Sequence, residues 1–87
     1  MVRIYDMKQK EVINSGDGIR LGFISDVEVD LDEGKLLKII VPGPAKLFGM
    51  FGRGKEYQVP WDSIKKIGED IILVDVDVEK SLVDSEY

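Results

Sequence analysis

Hydrophobic and polar residues alternate along much of this chain, with a period of two rather than the 3.6 of a helix. The clearest stretch is residues 26–31. Val27, Val29 and Leu31 share one parity, and Asp26, Glu28 and Asp30 share the other, as in a half-buried antiparallel strand. The same run extends back to Arg20, where the parity breaks: Gly22 and Ile24 fall on the acidic side and Phe23 on the side of Val27. The pattern therefore predicts a bulge or sharp coil near Ser25 that changes which parity faces the core. Asp32-Glu33-Gly34 predicts a hairpin into residues 35–41, with Gly34 in the left-handed position. Leu36, Leu37, Ile39, Ile40 and Val41 then form an almost continuous apolar strand, one covered on both faces or meeting something else with its outer face. Near the other end, Ile72, Val74, Val76 and Val78 alternate with Leu73, Asp75 and Asp77 and predict a strand over 71–78.

Residues 2–6 and 11–14 read as short strands, or as a strand and its extended lead-in, before the turn Ser15-Gly16-Asp17-Gly18. Pro42-Gly43-Pro44 ends the apolar strand, because proline lacks a ladder donor. Residues 45–55 form a long loop, 56–59 a strand, Pro60-Trp61-Asp62-Ser63 a corner with one 3₁₀ turn, and 64–67 another strand before the turn at 68–70. Residues 80–87 read as frayed chain or a short helix. Short strands at this spacing, with no sustained helical period and no repeat, predict an all-β fold: a small, antiparallel, partly open β-barrel of about six strands. Its expected core is Ile4, Val12, Leu21, Ile24, Val27, Val29, Ile39, Val41, Val59, Trp61, Ile64, Ile72 and Val74. The expected organisation is one barrel domain over 1–76 and an acidic C-terminal tail over 77–87.

Composition narrows the chemistry. The 87 residues carry a formal charge of −5, and residues 75–87 alone carry −4, so the barrel-forming part is nearly neutral. No broad basic face is present, which argues against nucleic acid as the partner. There is no Cys, His or Thr. That removes disulfides, thiolate and imidazole chemistry, and Cys- or His-ligated metals. No apolar run is long enough for a membrane helix, and residues 1–15 lack a secretory h-region, so the expected location is cytoplasmic. No catalytic residue, cofactor or metal is expected.

Three motifs lack the context that their chemistry requires. Gly49 to Lys55 matches the first seven positions of a phosphate-binding loop, but Glu56 replaces the magnesium-binding Ser or Thr and a strand pattern follows instead of a helix. The carboxylates from Asp26 to Glu33 alternate, yet Leu31 stands where a calcium loop needs glycine, so a solvated strand face explains them. Nothing pairs Asp17, Asp26, Asp62 or Asp70 for acid–base work, and Asp17, between two glycines, reads as a turn former. Trp61, beside Pro60, reads as the cap of a barrel corner.

The informative group is Leu47, Phe48, Met50 and Phe51, four large apolar residues in a loop flanked by Pro and Gly, with Arg53 beside them. The loop either folds over a barrel end and completes the core or presents a contact for a protein partner or a second copy. With Arg53 included, these residues are the candidate partner-binding set. Surplus apolar surface on 36–41 favours a homodimer. Two alternatives use basic residues. One is an RNA or ribosome-assembly factor working through Lys46, Arg53, Lys55, Lys65 and Lys66. The other is weak docking of the 44–55 loop on an anionic membrane surface.

The order of motifs resembles the PRC-barrel family. The resemblance rests on Glu11-Val-Ile-Asn14, Asp17-Gly18, Gly22-Phe-Ile-Ser-Asp26-Val-Glu-Val-Asp30 and the hairpin to Lys38-Ile-Ile-Val41. It continues through Val59-Pro-Trp-Asp-Ser-Ile64, Ile67-Gly68 and Asp70-Ile-Ile-Leu-Val74. The Pro42-to-Arg53 insertion and the 64–70 run are similar to small stand-alone members from spore-forming bacteria, the YlmC/YmxH type. The resemblance implies a small β-barrel used for protein contacts, no catalytic residue, and a link to sporulation. Residues 77–87 have no counterpart in it.

Overall fold

The computed structural model describes residues 1–44 and 54–85. Its strands are β1 (Glu11–Asn14), β2 (Arg20–Phe23), β3 (Asp26–Asp30), β4 (Lys35–Pro42), β5 (Lys55–Pro60), β6 (Ile64–Ile67), β7 (Ile71–Val74) and β8 (Leu82–Asp84). Two single helical turns, α1 (Ile4–Met7) and α2 (Val78–Ser81), and one 3₁₀ turn at Trp61–Ser63 complete the elements. The strands form two four-stranded sheets, ordered β2-β1-β7-β6 and β3-β4-β5-β8. Neither sheet closes, so the expected all-β, partly open barrel is the fold. Every pairing described is antiparallel except β1 with β7, which run parallel from Glu11↔Ile71 to Asn14↔Val74.

The chain passes between sheets at three places: Ile24-Ser25, the 3₁₀ turn, and the segment from Asp75 to Ser81. The first crossing is the parity break read from the sequence. The Ser25 amide and hydroxyl both donate to the Ile40 carbonyl, at 2.8 and 3.3 Å, and hold the corner. Gly22, just before it, has φ +123°, a conformation open to glycine and strained for other residues. A β-carbon there would lie 3.4 Å from Val41 Cγ1, where the sheets meet.

Between the sheets lie Val12, Leu21, Ile24, Ile39, Val41, Val59, Ile72 and Val74, all expected, together with Met7 and Tyr57. Val27, Trp61 and Ile64 pack against them from partly buried positions. Each large aliphatic side chain buried here contributes about 1.5–3 kcal/mol relative to exposure.

Several expectations need correction. Residues 2–6 are not a strand. The Asp6 carboxylate accepts the Arg3 amide at 3.1 Å, and α1 forms instead and drives Met7 into the core. Ile4, one turn earlier, stays exposed. Val29 is exposed too. The β3–β4 register shifts between Glu28 and Val29, where Glu28 faces Lys38 but Val29 faces Leu36, and the alternation that should have buried Val29 is broken there.

The strand expected over 71–78 ends at Val74. Val76 is taken by a side chain of β1, and Asp77 caps α2 by accepting the Lys80 amide at 3.2 Å. Beyond α2, residues 82–84 pair with β5, so this acidic stretch is part of a sheet, where frayed chain or a short helix was expected.

Candidate contact surface

The β3–β4 hairpin carries the most exposed apolar side chains of the two sheets. Its turn follows from Asp30 and Gly34. Asp30 Oδ1 accepts the amides of Asp32 and Glu33 at 3.0 and 3.2 Å, the Asp30 carbonyl accepts the Gly34 amide at 2.7 Å, and Gly34 takes φ +68°. This is the glycine turn expected from the sequence. The register shift leaves Leu37 as the extra residue of β4, without an opposite number on β3. Leu37 is 45% and Val29 41% exposed, and Leu31, in the turn itself, is 90% exposed. A chain of polar contacts ties the hairpin to the body. Lys38 Nζ lies 3.6 Å from Glu28 Oε1 and donates to Gln58 Oε1 at 2.9 Å, and Gln58 Nε2 donates to Glu56 Oε2 at 2.8 Å. Glu56 is buried at the end of this run of contacts, a placement that the sequence pattern does not mark.

A second exposed apolar group is formed by Val2, Ile4 and Tyr5 around α1. Arg3 and Lys8 flank it and are exposed. The nearby Lys10 ammonium is occupied, donating to the carbonyls of Gly68 and Glu69. The surplus apolar surface expected on 36–41 is found at Leu37, whereas the α1 group and Leu31 were not anticipated. The signals were the Leu36-Leu37 doublet beside a turn and the three-residue spacing from Ile4 to Met7, which suits a helical turn.

Asp17, Asp75, Asp77 and Glu79 border a shallow groove with Ile19, Val76 and Val78. Three of these carboxylates have polar partners. Asp17 Oδ1 accepts the Ile19 amide and the Asn14 side-chain amide, both at 3.0 Å, as expected of a turn former. Asp77 caps α2, and Asp75 lies 3.9 Å from Lys65 Nζ. Among the described residues no group of three acidic side chains is placed to hold a metal ion.

The candidate partner-binding residues Leu47, Phe48, Met50, Phe51 and Arg53, with Lys46, lie outside the described residues. Of the other lysines considered for RNA, Lys55 lies 2.9 Å from Asp84 and Lys65 faces Asp75, while Lys66 is exposed. Lys55 also opens β5, so the glycine-rich motif leads into a strand and not into the helix a phosphate loop requires. No helix among the described residues is long and apolar enough to cross a membrane.

Comparison with known proteins finds relatives along most of the chain. The chain is 42% identical over 74 residues to the probable sporulation protein YlmC of Bacillus subtilis, covering 85% of this chain and 91% of that protein. It is 44% identical over 71 residues to an uncharacterized protein of Clostridium acetobutylicum, covering 82% and 80%. It is 32% identical over 80 residues to the uncharacterized protein YmxH of Bacillus subtilis, covering 90% and 93%. The model of the PRC-barrel domain matches residues 1–80, from α1 through β7 and into α2. With the fold, the motifs and these relatives in agreement, the chain belongs to the PRC-barrel family.

Proposed function

We propose that this chain is a non-catalytic contact module that serves bacterial sporulation. The observation that carries the reading is the 42% identity to a probable sporulation protein over 91% of that protein's length. The residue inventory supports contact over catalysis. The chain has no Cys, His or Thr, and among its carboxylates Asp17, Asp30 and Asp77 are engaged with backbone amides. The apolar set Leu47, Phe48, Met50 and Phe51, with Arg53, is the proposed partner contact, since large apolar side chains bracketed by glycines suit an interface better than a ligand cage. The RNA reading is weaker, because Lys55 and Lys65 are each set beside a carboxylate.

The test is genetic and structural together. Deleting the gene from the spore-forming host should lower the yield of heat-resistant spores, and the wild-type chain should restore it. The double substitution Phe48→Ser/Phe51→Ser should not restore it, while its circular dichroism stays that of the wild type. Undiminished spore yield after deletion would overturn the sporulation role. Full rescue by the double variant would overturn the contact set.

A further inference from the structure

β5 is a core strand with a thinly covered edge. Its Glu56, Tyr57 and Val59 are buried, yet the strand beside it, β8, is three residues long and has β5 as its one strand neighbour among the described residues. The family model ends at residue 80, so the matched domain leaves this edge to a strand from beyond it. What seats that strand is plain. Leu82 faces Tyr57 in register, packs against the core and comes close to Gly43, where a β-carbon would stand 3.0 Å from Leu82 Cδ1. Two residues on, on the same face, Asp84 lies 2.9 Å from Lys55, and the Ser85 amide then donates to the Gly54 carbonyl at 2.9 Å. The hinge is equally defined. Asn14 holds Val76 by both its amide and its carbonyl, which fixes the chain to β1 up to that residue. Beyond it come the Asp77 cap, the single turn α2 and β8. We propose that residues 78–85 exchange between copies about a hinge at Asp77: the β5 edge that its own β8 covers in a single copy takes the β8 of a second copy in its place.

A second copy is the occupant because this sequence already fills the seat. The edge takes an apolar side chain at Tyr57 and Gly43 and a carboxylate at Lys55, with ladder pairing between them, and each copy carries that strand. An exchanged β8 makes these contacts unchanged, so exchange costs the entropy of association and the opening of the hinge, and concentration offsets the first. Opening is the easier step. A short edge strand reached through one helical turn separates at lower free energy than the core strands do, and the β5 edge it leaves bare invites another strand. Reciprocal exchange closes a symmetric dimer in which each copy completes the other's second sheet. The proposal is independent of the sporulation reading and of residues 45–53.

A disulfide that locks β8 in place tests it, and the chain has no cysteine to interfere. Because Gly54 and Ser85 are a bonded pair, ladder alternation makes Lys55 and Asp84 a non-bonded pair, whose side chains lie closest and suit a cross-link. Sedimentation velocity on the full wild-type chain should show a monomer at about 10 μM and a growing dimer toward about 1 mM. Lys55→Cys/Asp84→Cys, oxidised at about 10 μM, should stay monomeric over the same range, and reduction should restore the dimer. Lys55→Cys mixed with Asp84→Cys at about 1 mM and then oxidised should give at least about tenfold more cross-linked dimer than either protein alone. In the wild type, amides of the β5–β8 ladder should exchange with deuterium at least about tenfold faster than those of the β1–β7 ladder. A wild type that stays monomeric throughout overturns the proposal. So does a locked protein that dimerises as readily as the wild type, a mixture that cross-links no better than its components, or equal exchange in the two ladders.

Discussion

Asn14 and Val76 bond to each other twice: the Asn14 side-chain amide donates to the Val76 carbonyl at 3.0 Å and its oxygen accepts the Val76 amide at 3.0 Å. A side chain thus does the work of strand backbone, and the parallel β1–β7 pairing extends past Val74 without a strand residue to carry it. The same nitrogen donates to Asp17 Oδ1, so the turn after β1 is fastened to this point as well. Asn14 is buried, and water cannot replace what it supplies.

Asn14→Asp should therefore destabilise the protein by about 1–3 kcal/mol, because it removes both donated bonds and sets a carboxylate against the Asp17 carboxylate and the Val76 carbonyl. The urea midpoint measures the loss. Adding Asp17→Asn, which removes one of the two opposing charges and offers a donor, should return part of it. A double-mutant cycle showing no coupling would contradict the direct contact.

Gly22 is the strained position of the first crossing between sheets. Gly22→Ala should cost about 1–3 kcal/mol, through a positive φ and the contact with Val41. Gly16→Ala meets nothing within 4 Å and is the control, expected within about 0.5 kcal/mol of wild type. Thermal melts of the two variants side by side separate backbone strain from a general cost of replacing glycine.

Gly43 lies where β4 leaves its sheet, and its amide donates to the Lys55 carbonyl at 2.9 Å. A β-carbon there would lie 2.8 Å from that carbonyl oxygen and 3.0 Å from Leu82 Cδ1. Gly43→Ala must push β5 and β8 aside. It should cost at least about 1 kcal/mol and speed hydrogen exchange at the amides of residues 55–57 and 82–84. The ion pair between Lys55 and Asp84 lies on the same ladder, but both partners are substantially exposed. Asp84→Asn should move the melting midpoint very little, by less than about 0.5 kcal/mol.

The hairpin turn depends on one carboxylate. Asp30→Ala removes the acceptor for two amides and should lower stability by about 1 kcal/mol, with the loss confined to faster exchange at residues 29–36. Asp32→Ala, one turn residue away, holds no such bond through its side chain and should leave exchange there unchanged.

What could be read from the sequence was whatever depends on neighbours in the chain. The hairpin from Asp26 to Val41 was legible because alternation and a glycine turn coincide. The break at Ser25 was legible because Ile24 sits on the wrong parity for a continuous strand. The parallel pairing of β1 with β7 was not, since nothing in Glu11-Val-Ile-Asn14 says which distant strand lies beside it. The 71–78 alternation misled because Val76 and Val78 keep the strand period while Asn14 and the Asp77 cap divert the chain. β8 was obscured by its charge. Leu82 packs against the core from an edge strand whose flanks are acidic, and composition alone marks such a stretch as tail. The expected contact residues Leu47, Phe48, Met50 and Phe51, with Arg53, stand out as apolar residues in a loop; at the hairpin, a register shift that composition does not show leaves Leu37 unopposed.

The parallel alignment of β1 and β7 has a consequence for how the protein comes into being. β1 has only β2 beside it until Ile71–Val74 has been made. A nascent chain that ends before residue 71 holds an unfinished sheet with Val12 unpaired on one side. Completion of this sheet therefore waits for β7. A chain cut anywhere between β2 and β7 leaves β1 with one open edge, a surface that invites pairing with other chains.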